Sequence, residues 1–320
     1  MFTIKHPSTI IFGKYSARDY QFPKNCLIVT SRGAESRGWL DYLKLQNCSV
    51  FNKVESNPSI ETTEKILDEF KGSNHSCVIG LGGGSCLDVA KFVAYKLNKP
   101  KILIPTTFGS GSEVTRIAVL KVNGKKQSFH DDNFFADVAI VDSYFIGNTS
   151  EIILKNSAID ACAQCTEGYD SKIGNIYTKF FCSKAFDFLE EGILNNNYEK
   201  LVFGSLLAGI GFGNCSTTLG HALSYVYSNE GYPHGHALAF TTTVAHKFNN
   251  SIFYSRFLNI VKKLNFTNIT LKGDLGEASD LILADKKHLD YNPKNVSKED
   301  IIFLLKLINS GNALEQNNLV

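Results

Sequence analysis

The sequence has no excess of charge of either sign. Lys plus Arg number 33 and Asp plus Glu 31, a formal +2 over 320 residues. That leaves no broad field to attract nucleic acid or an anionic membrane surface. No apolar run reaches the ~18 residues that a bilayer span requires. The start, Met1 to Ile10, carries Lys5, His6 and Pro7, where a secretory signal would have an unbroken apolar core. A cytoplasmic protein is therefore expected, with no nucleic acid and no membrane as partners. Cysteine is sparse, 8 residues in all, too dilute for a disulfide scaffold. Cys26, Cys77 and Cys182 lie inside apolar runs, where Cys acts as a small hydrophobe. Cys162 and Cys165 have CxxC spacing, but no second pair completes a zinc site and the surroundings read as helical, so helix packing is the reading. Tandem repeats and low-complexity tracts are absent too.

What is present is a globular composition, 43% hydrophobic and 20% charged, in a chain long enough for two domains of roughly 100–200 residues each. The first half alternates short apolar runs with helical patterns. Cys26 to Thr30, Val50–Phe51, Cys77 to Gly80, Ile102 to Ile104 and Val138 to Val141 read as strands. Ser59 to Phe70, with Ser59 as cap, and Ser85 to Leu97 read as helices. That alternation predicts a parallel sheet with helices on both faces. Asn123-Gly124, between Ile117–Val122 and Gln127–His130, predicts a type I′ hairpin. From Ile152 to Phe248 the apolar spacing is mostly helical, with Leu201 to Phe212 and Thr217 to Tyr227 as clear cases. A last helix spans Lys298 to Ile308 behind the cap Ser297. The reading is an α/β domain over residues 1–149 and an all-α domain over 150–320.

Three constellations carry chemistry. Gly82-Gly83-Gly84-Ser85 sits directly after a strand and directly before a helix. Glycines let backbone N–H groups approach an anion, and the helix start adds unpaired donors and partial positive charge, so a pyrophosphate fits there. Ser85 stands where the GxGxxG fingerprint has its last glycine, and the Walker pattern is absent. The alternative is a tight structural turn. The second constellation, Pro105 to Glu113, also follows a strand, so it should share the sheet's carboxyl edge with the glycine turn. Its hydroxyls suit sugar and phosphate contacts, or simply a polar surface loop. The third is helical: Asp160 and Gln164, i and i+4, share a face, and His221 and His234 lie on later helices. A carboxylate and two imidazoles that converge could hold a divalent metal, although a single His is more often a packed or surface residue.

With these residues in place, the sequence resembles the iron-containing (group III) alcohol dehydrogenases nearly end to end. The matching motifs are Ile11-Phe12-Gly13, Asn57-Pro58, Gly82 to Lys91, Pro105 to Thr115, Asp137 to Asp142, the helix opening at Asp160, His221-Ala222-Leu223, Pro233-His234-Gly235 and Asn292-Pro293. The resemblance implies a Rossmann-like N-terminal dinucleotide-binding domain and an all-α metal-binding domain, in a dehydroquinate synthase-like architecture. It places Gly83, Gly84, Asp88, Asn57, Thr106, Thr107 and Ser110 at the dinucleotide and Lys126 near its ribose or nicotinamide. It places Asp160, His221 and His234 on Fe2+ or another divalent ion. Such a metal polarises a carbonyl oxygen while NAD(P)H delivers hydride. A homodimer is what the family suggests.

The departures narrow the resemblance. Gln164 stands where the family usually has His, so a neutral amide replaces an imidazole. That would lower metal affinity and shift preference away from Zn2+ toward Fe2+, Mn2+ or Mg2+. Tyr225 stands where a further His is common, and the stretch from His221 to His234 is one residue short. Asp-x-x-x-Gln with Glu167-x-Tyr169, His-Ala-Leu-Ser-Tyr and Pro-His-Gly-His-Ala is similar to phosphonoacetaldehyde reductases of phosphonate biosynthesis. An anionic aldehyde of that kind needs a cation besides the metal. Arg116 is the first candidate, since guanidinium matches phosphonate oxygens, with a surface salt bridge as the alternative; His236 is the second. Ser31-Arg32 follows the first strand where many NAD-preferring relatives have an Asp, which admits NADPH as well as NADH. Other readings stay open: a general short-chain alcohol or aldehyde dehydrogenase, a metal-free non-catalytic relative, and a sugar-phosphate cyclase related to dehydroquinate synthases.

Overall fold

The structure is a computed structural model that describes residues 1–315. It separates into two compact units, Thr3–Ser150 and a unit from Glu151 onward that also takes in Met1–Phe2. The first unit holds six parallel strands: β1 (Thr9–Phe12), β2 (Leu27–Thr30), β3 (Ser49–Phe51), β4 (Val78–Gly82), β5 (Lys101–Pro105) and, after a separate hairpin, β8 (Val138–Val141). Their order is β1-β8-β5-β4-β2-β3. Every residue of β2, β4 and β5 is buried, which is why these strands read as unbroken apolar runs rather than alternating ones. The helices of this unit are α1 (Ser16–Asp19), α2 (Gly33–Ser36), α3 (Trp39–Tyr42), α4 (Ile60–Glu69) and α5 (Gly84–Leu97).

The chain steps from β2 to its neighbour β3, then returns to lay β4 on the other side of β2. The strand order therefore reverses between β2 and β4, and the loops after them flank the switch point where open α/β sheets bind ligands. The separate hairpin pairs β6 (Ile117–Val122) with β7 (Lys125–His130) in antiparallel register. Asn123 and Gly124 both have positive φ, 51° and 77°, the turn that the sequence predicts.

The cap of α4 differs from the expectation. Ser59 occupies the cap position but its hydroxyl makes no cap bond. Glu55 fastens the entry to the helix, accepting from the Ser59 N–H at 3.0 Å and the Thr62 hydroxyl at 2.7 Å. Elsewhere the unit is pinned by Asp142, fully buried after β8. Its carboxylate accepts from the backbone N–H groups of Tyr15, Ala17 and Tyr144 and from the Tyr42 hydroxyl.

The second unit is helical: α6 (Glu151–Asp170), α7 (Ile176–Leu194), α8 (Tyr198–Phe212), α9 (Leu219–Asn229), α10 (His234–Asn249), α11 (Tyr254–Leu264), α12 (Leu275–Leu283), α13 (Lys286–Leu289) and α14 (Lys298–Asn309). The α14 start has the expected Ser297 cap, in a reciprocal box with Asp300. Cys162 and Cys165 are buried on α6 and free, as helix packing requires. Among the described residues no helix is long and apolar enough to cross a membrane.

Candidate functional site

Three helices bring the helical site together. Asp160 and Gln164 share a face of α6, His221 lies in the first turn of α9, and His234 opens α10. Two glycines permit this approach. A methyl group at Gly220 would strike Glu167 Oε1 and lie 2.7 Å from Thr242 Oγ1; one at Gly235 would strike the Asn156 carbonyl oxygen on α6. Donor atoms of Asp160, His221 and His234 all lie within 4.8 Å of one another. Asp160 Oδ1 is 3.8 Å from His221 Nε2 and 3.9 Å from His234 Nε2. Gln164 Nε2 donates to the same Oδ1 at 3.0 Å. The Gln164 Oε1 atom is buried without a hydrogen-bond partner, an unpaired acceptor of a kind that is costly in a folded protein.

Behind His221 stands Glu167, 1% exposed. Its Oε2 accepts from the Thr218 N–H at 2.7 Å and lies 2.9 Å from His221 Nδ1. Burial alone would lower the His221 pKa, but the Glu167 charge and the bonds to Asp160 and Glu167 outweigh it and push it up to about 9. Burial likewise opposes the Glu167 charge, yet His221 and the Thr218 N–H hold that carboxyl below its ordinary range. Carboxylates thus outnumber obligate cations here, a balance that suits a bound cation.

Sequence reasoning singled out Tyr225 and Glu167 only as family markers and missed His288. His288, from α13, is buried, with Nδ1 2.8 Å from Asp285 Oδ1, and its ring lies parallel to His221. The Asp285-x-x-His288 spacing was the available signal, but nothing in it points to α9. The second phosphonate candidate, His236, is turned away: its Nε2 lies 2.6 Å from the Thr267 carbonyl oxygen.

In the α/β unit, Gly82 ends β4, Gly83 caps α5 without a side-chain acceptor and Gly84 begins the helix. Gly82 has φ 151°, a region that L side chains avoid, and a methyl group there would lie 2.6 Å from Cys86 Sγ. Added carbons at Gly83 and Gly84 would each lie 2.9 Å from a hydroxyl, those of Thr107 and Ser110. The glycine turn and the 105–113 loop therefore close on each other. Gly82 pairs with Pro105, and the Thr106 N–H donates to the Gly82 carbonyl at 2.9 Å. Ser85 is half-buried at the same turn, and Ser31, also half-buried, follows β2 across the switch point. Asn57 lies exposed in a turn with φ 52°. Its neighbour Pro58 accepts from the Lys121 N–H, and Lys121 pairs with the exposed Lys126 across the hairpin.

Two candidates are engaged elsewhere. Both Asp88 oxygens are taken within the protein, one by the Ser112 hydroxyl at 2.6 Å and the other by the Val119 N–H at 3.0 Å. Its carboxylate ties α5 to the hairpin, where the resemblance had assigned it to the dinucleotide. Arg116, offered as the phosphonate cation, donates to Asp132 at 3.2 Å on the surface, and Lys5 binds the same carboxylate. Its charge is already paired, which is the salt-bridge alternative.

The sequence model described as "Iron-containing alcohol dehydrogenase" matches residues 7–143, and that for the "Fe-containing alcohol dehydrogenase family, C-terminal" matches residues 155–293. Similar proteins include 4-hydroxybutyrate dehydrogenase of Clostridium kluyveri, 34% identical over 209 residues. That match covers 56% of each chain, so this chain spans little more than half the length of that relative. Sulfoacetaldehyde reductase of Bilophila wadsworthia is 25% identical over 320 residues, covering 80% of this chain and 83% of the relative. Among solved structures, sulfoacetaldehyde reductase from Bifidobacterium kashiwanohense in complex with NAD+ superimposes with a TM-score of 0.89 at 22% identity. It covers 97% of this chain and 99% of the other.

Proposed function

Because the chain belongs to the iron-containing alcohol dehydrogenase family, we propose that it is a metal-dependent NAD(P)H aldehyde reductase, running in reverse as an alcohol dehydrogenase. The observation that carries this reading is the meeting of Asp160, His221 and His234 within 4.8 Å beside the unpartnered Gln164 amide oxygen. A carboxylate and two imidazoles suit a divalent ion such as Fe2+, and a half-turn of the Gln164 amide would add a fourth, neutral donor. When bound, the ion polarises a carbonyl oxygen as a Lewis acid, and the reduced nicotinamide supplies the hydride. The chain's own residues prepare for this. Glu167 keeps the proton of neutral His221 on Nδ1 and leaves Nε2 as the donor.

In the α/β unit, residues Gly82 to Ser85 would hold the pyrophosphate at the start of α5. Thr106, Thr107, Ser110, Ser31, Asn57 and Lys126 would serve the rest of the dinucleotide. Residues 1–149 are then the nucleotide domain and 150–320 the metal domain. Ser31 and Arg32, rather than a carboxylate, stand directly after β2, and Arg32 is exposed, so the reading takes NADPH as well as NADH.

For the substrate, a two-carbon aldehyde with an anionic end is the reading, phosphonoacetaldehyde giving 2-hydroxyethylphosphonate. Support comes from the motif resemblance and from relatives whose names carry short anionic substrates. The Arg116–Asp132 pair favours a second reading, a reductase of uncharged short aldehydes. The test is NADPH and NADH oxidation by Fe2+-loaded protein with phosphonoacetaldehyde, sulfoacetaldehyde and acetaldehyde. Preference for the phosphonate supports the first reading, and preference for acetaldehyde the second. Absence of bound metal and of hydride transfer with every aldehyde removes both, leaving a non-catalytic relative.

A further inference from the structure

Four rings close a circuit at the helical site. His221 meets His234 with centroids 5.5 Å apart. His234 lies nearly parallel to Tyr225, with centroids 6.0 Å apart and planes 12° apart. Tyr225 meets His288 at 5.7 Å and 62°. His288 returns to His221, at 6.2 Å with planes 7° apart. Two of these rings belong to the proposed donors; the other two do not. His288 falls outside the group of donor atoms within 4.8 Å.

We propose that Tyr225 and His288 are positioning residues for the metal site, each a neighbouring, nearly parallel ring that limits the rotation of one imidazole donor. The inference rests on the metal reading above. An imidazole coordinates through a lone pair in its ring plane, so rotation about the ring torsion swings the lone pair off the ion. That torsion has a broad, shallow preference of its own, and the surroundings must set it.

For His221 the restraints are Glu167 at Nδ1, 2.9 Å away, and the neighbouring parallel ring of His288, its centroid 6.2 Å away. His288 is itself held: Asp285 takes its ring nitrogen at 2.7–2.8 Å and accepts from its backbone N–H at 3.4 Å. For His234 the side chain is 31% exposed, and its Nδ1 lies 3.4 Å from Ser224 Oγ, near the long limit of a hydrogen bond. The nearly parallel ring of Tyr225 adds to the restraint there. Tyr225 is four residues after His221 on α9 and shares its face, so one helix supplies a donor and the support for the other donor. The neutral amide at position 164 makes this support matter more. A weak fourth donor leaves the binding energy to the geometry of the other three.

The test is metal binding, not turnover. Purified apo-protein is titrated with Zn2+ and Co2+ against a competing chelator, and the Co2+ visible bands report the coordination geometry. Tyr225→Phe, which keeps the ring, is expected to bind within about threefold of the parent, and Tyr225→Ala to lose about tenfold to a hundredfold with altered Co2+ bands. His288→Ala should lose affinity in the same direction, and His288→Phe should recover part of it. Thermal midpoints of the apo-proteins identify a variant that is simply unfolded; Tyr225→Leu, with similar bulk and no ring, then takes the place of Tyr225→Ala. Parental affinity and spectrum in both ring-deleted variants would overturn the inference and leave the metal reading standing. A parent that takes up no divalent ion would overturn the metal reading itself, and this inference with it.

Discussion

Glu167 Oε2 lies 2.9 Å from His221 Nδ1 and 2.7 Å from the Thr218 backbone nitrogen, all of it buried. One carboxylate oxygen thus fixes both the start of α9 and the ring that α9 presents. Glu167→Ala strands two buried donors and is expected to lower stability by roughly 3 kcal/mol in urea unfolding of the apo-protein. Metal affinity should fall about tenfold to a hundredfold, as for a lost hydrogen bond behind a ligand imidazole. Glu167→Gln keeps one acceptor oxygen and should lie between the parent and the alanine variant on both scales. Equal metal affinity in all three proteins would remove Glu167 from any role at the site.

Gly235 is tested by bulk. A methyl group there meets the Asn156 backbone, which cannot move aside as a side-chain tip can. Gly235→Ala should therefore shift the first turn of α10, which begins with His234, and cost roughly 1–3 kcal/mol of stability. Chelator competition should show weakened metal binding. Gly231→Ala is the control for backbone strain near the site: it has positive φ but open space around it, so it should lose stability without losing metal.

The contrast between these positions shows what could be read from sequence. Buried parallel strands announce themselves as apolar runs, so β2, β4, β5 and β8 were legible, and so was the turn at Asn123-Gly124, whose chemistry is local. The shared face of Asp160 and Gln164 follows from helical spacing alone. Convergence of His221 and His234 on that face depends on how α9 and α10 cross α6, and only the family resemblance supplied it. Charged residues were the least legible. Asp88 and Arg116 look available in sequence, yet Val119, Ser112 and Asp132 claim them through contacts that no local pattern encodes. His288 was invisible for the same reason, and Ser59 takes the cap position without the side-chain bond that its identity suggests.

His246 sets an acid limit. It is 1% exposed on α10, and its Nε2 lies 2.7 Å from Thr166 Oγ1. Burial pulls its pKa from 6.5 down to about 4, against a smaller upward pull from Glu167. Between those values the unfolded chain binds a proton that the folded chain refuses. Stability from this residue is therefore complete above pH 6.5 and falls as pH drops toward about 4, by at most about 1.4 kcal/mol per pH unit. His246→Gln does not titrate, and its amide can still donate to Thr166. In urea unfolding from pH 7.5 to 4.5, the difference between parent and variant should shift steadily against the parent as acid is added. A constant difference across that range would show that His246 titrates normally in the folded protein.

The glycine turn separates the two halves of the proposed function. At Gly82 an alanine must adopt φ near 151° and also place its methyl group 2.6 Å from Cys86 Sγ, so the turn cannot keep its present path. The segment from Gly83 to Cys86, which starts α5, moves with it, and the N–H groups proposed to meet a pyrophosphate lose their common direction. Gly82→Ala should therefore raise the dinucleotide Kd by an order of magnitude or more, roughly the loss of one charge-assisted hydrogen bond. The helical unit is untouched by this change, so Co2+ affinity and spectrum should stay at parental values. Fluorescence titration with NADH and NADPH, beside chelator competition on the same preparation, reads both. Loss of metal together with nucleotide would mean that the substitution unfolds the protein as a whole. Unchanged nucleotide affinity would mean that the dinucleotide does not use this turn.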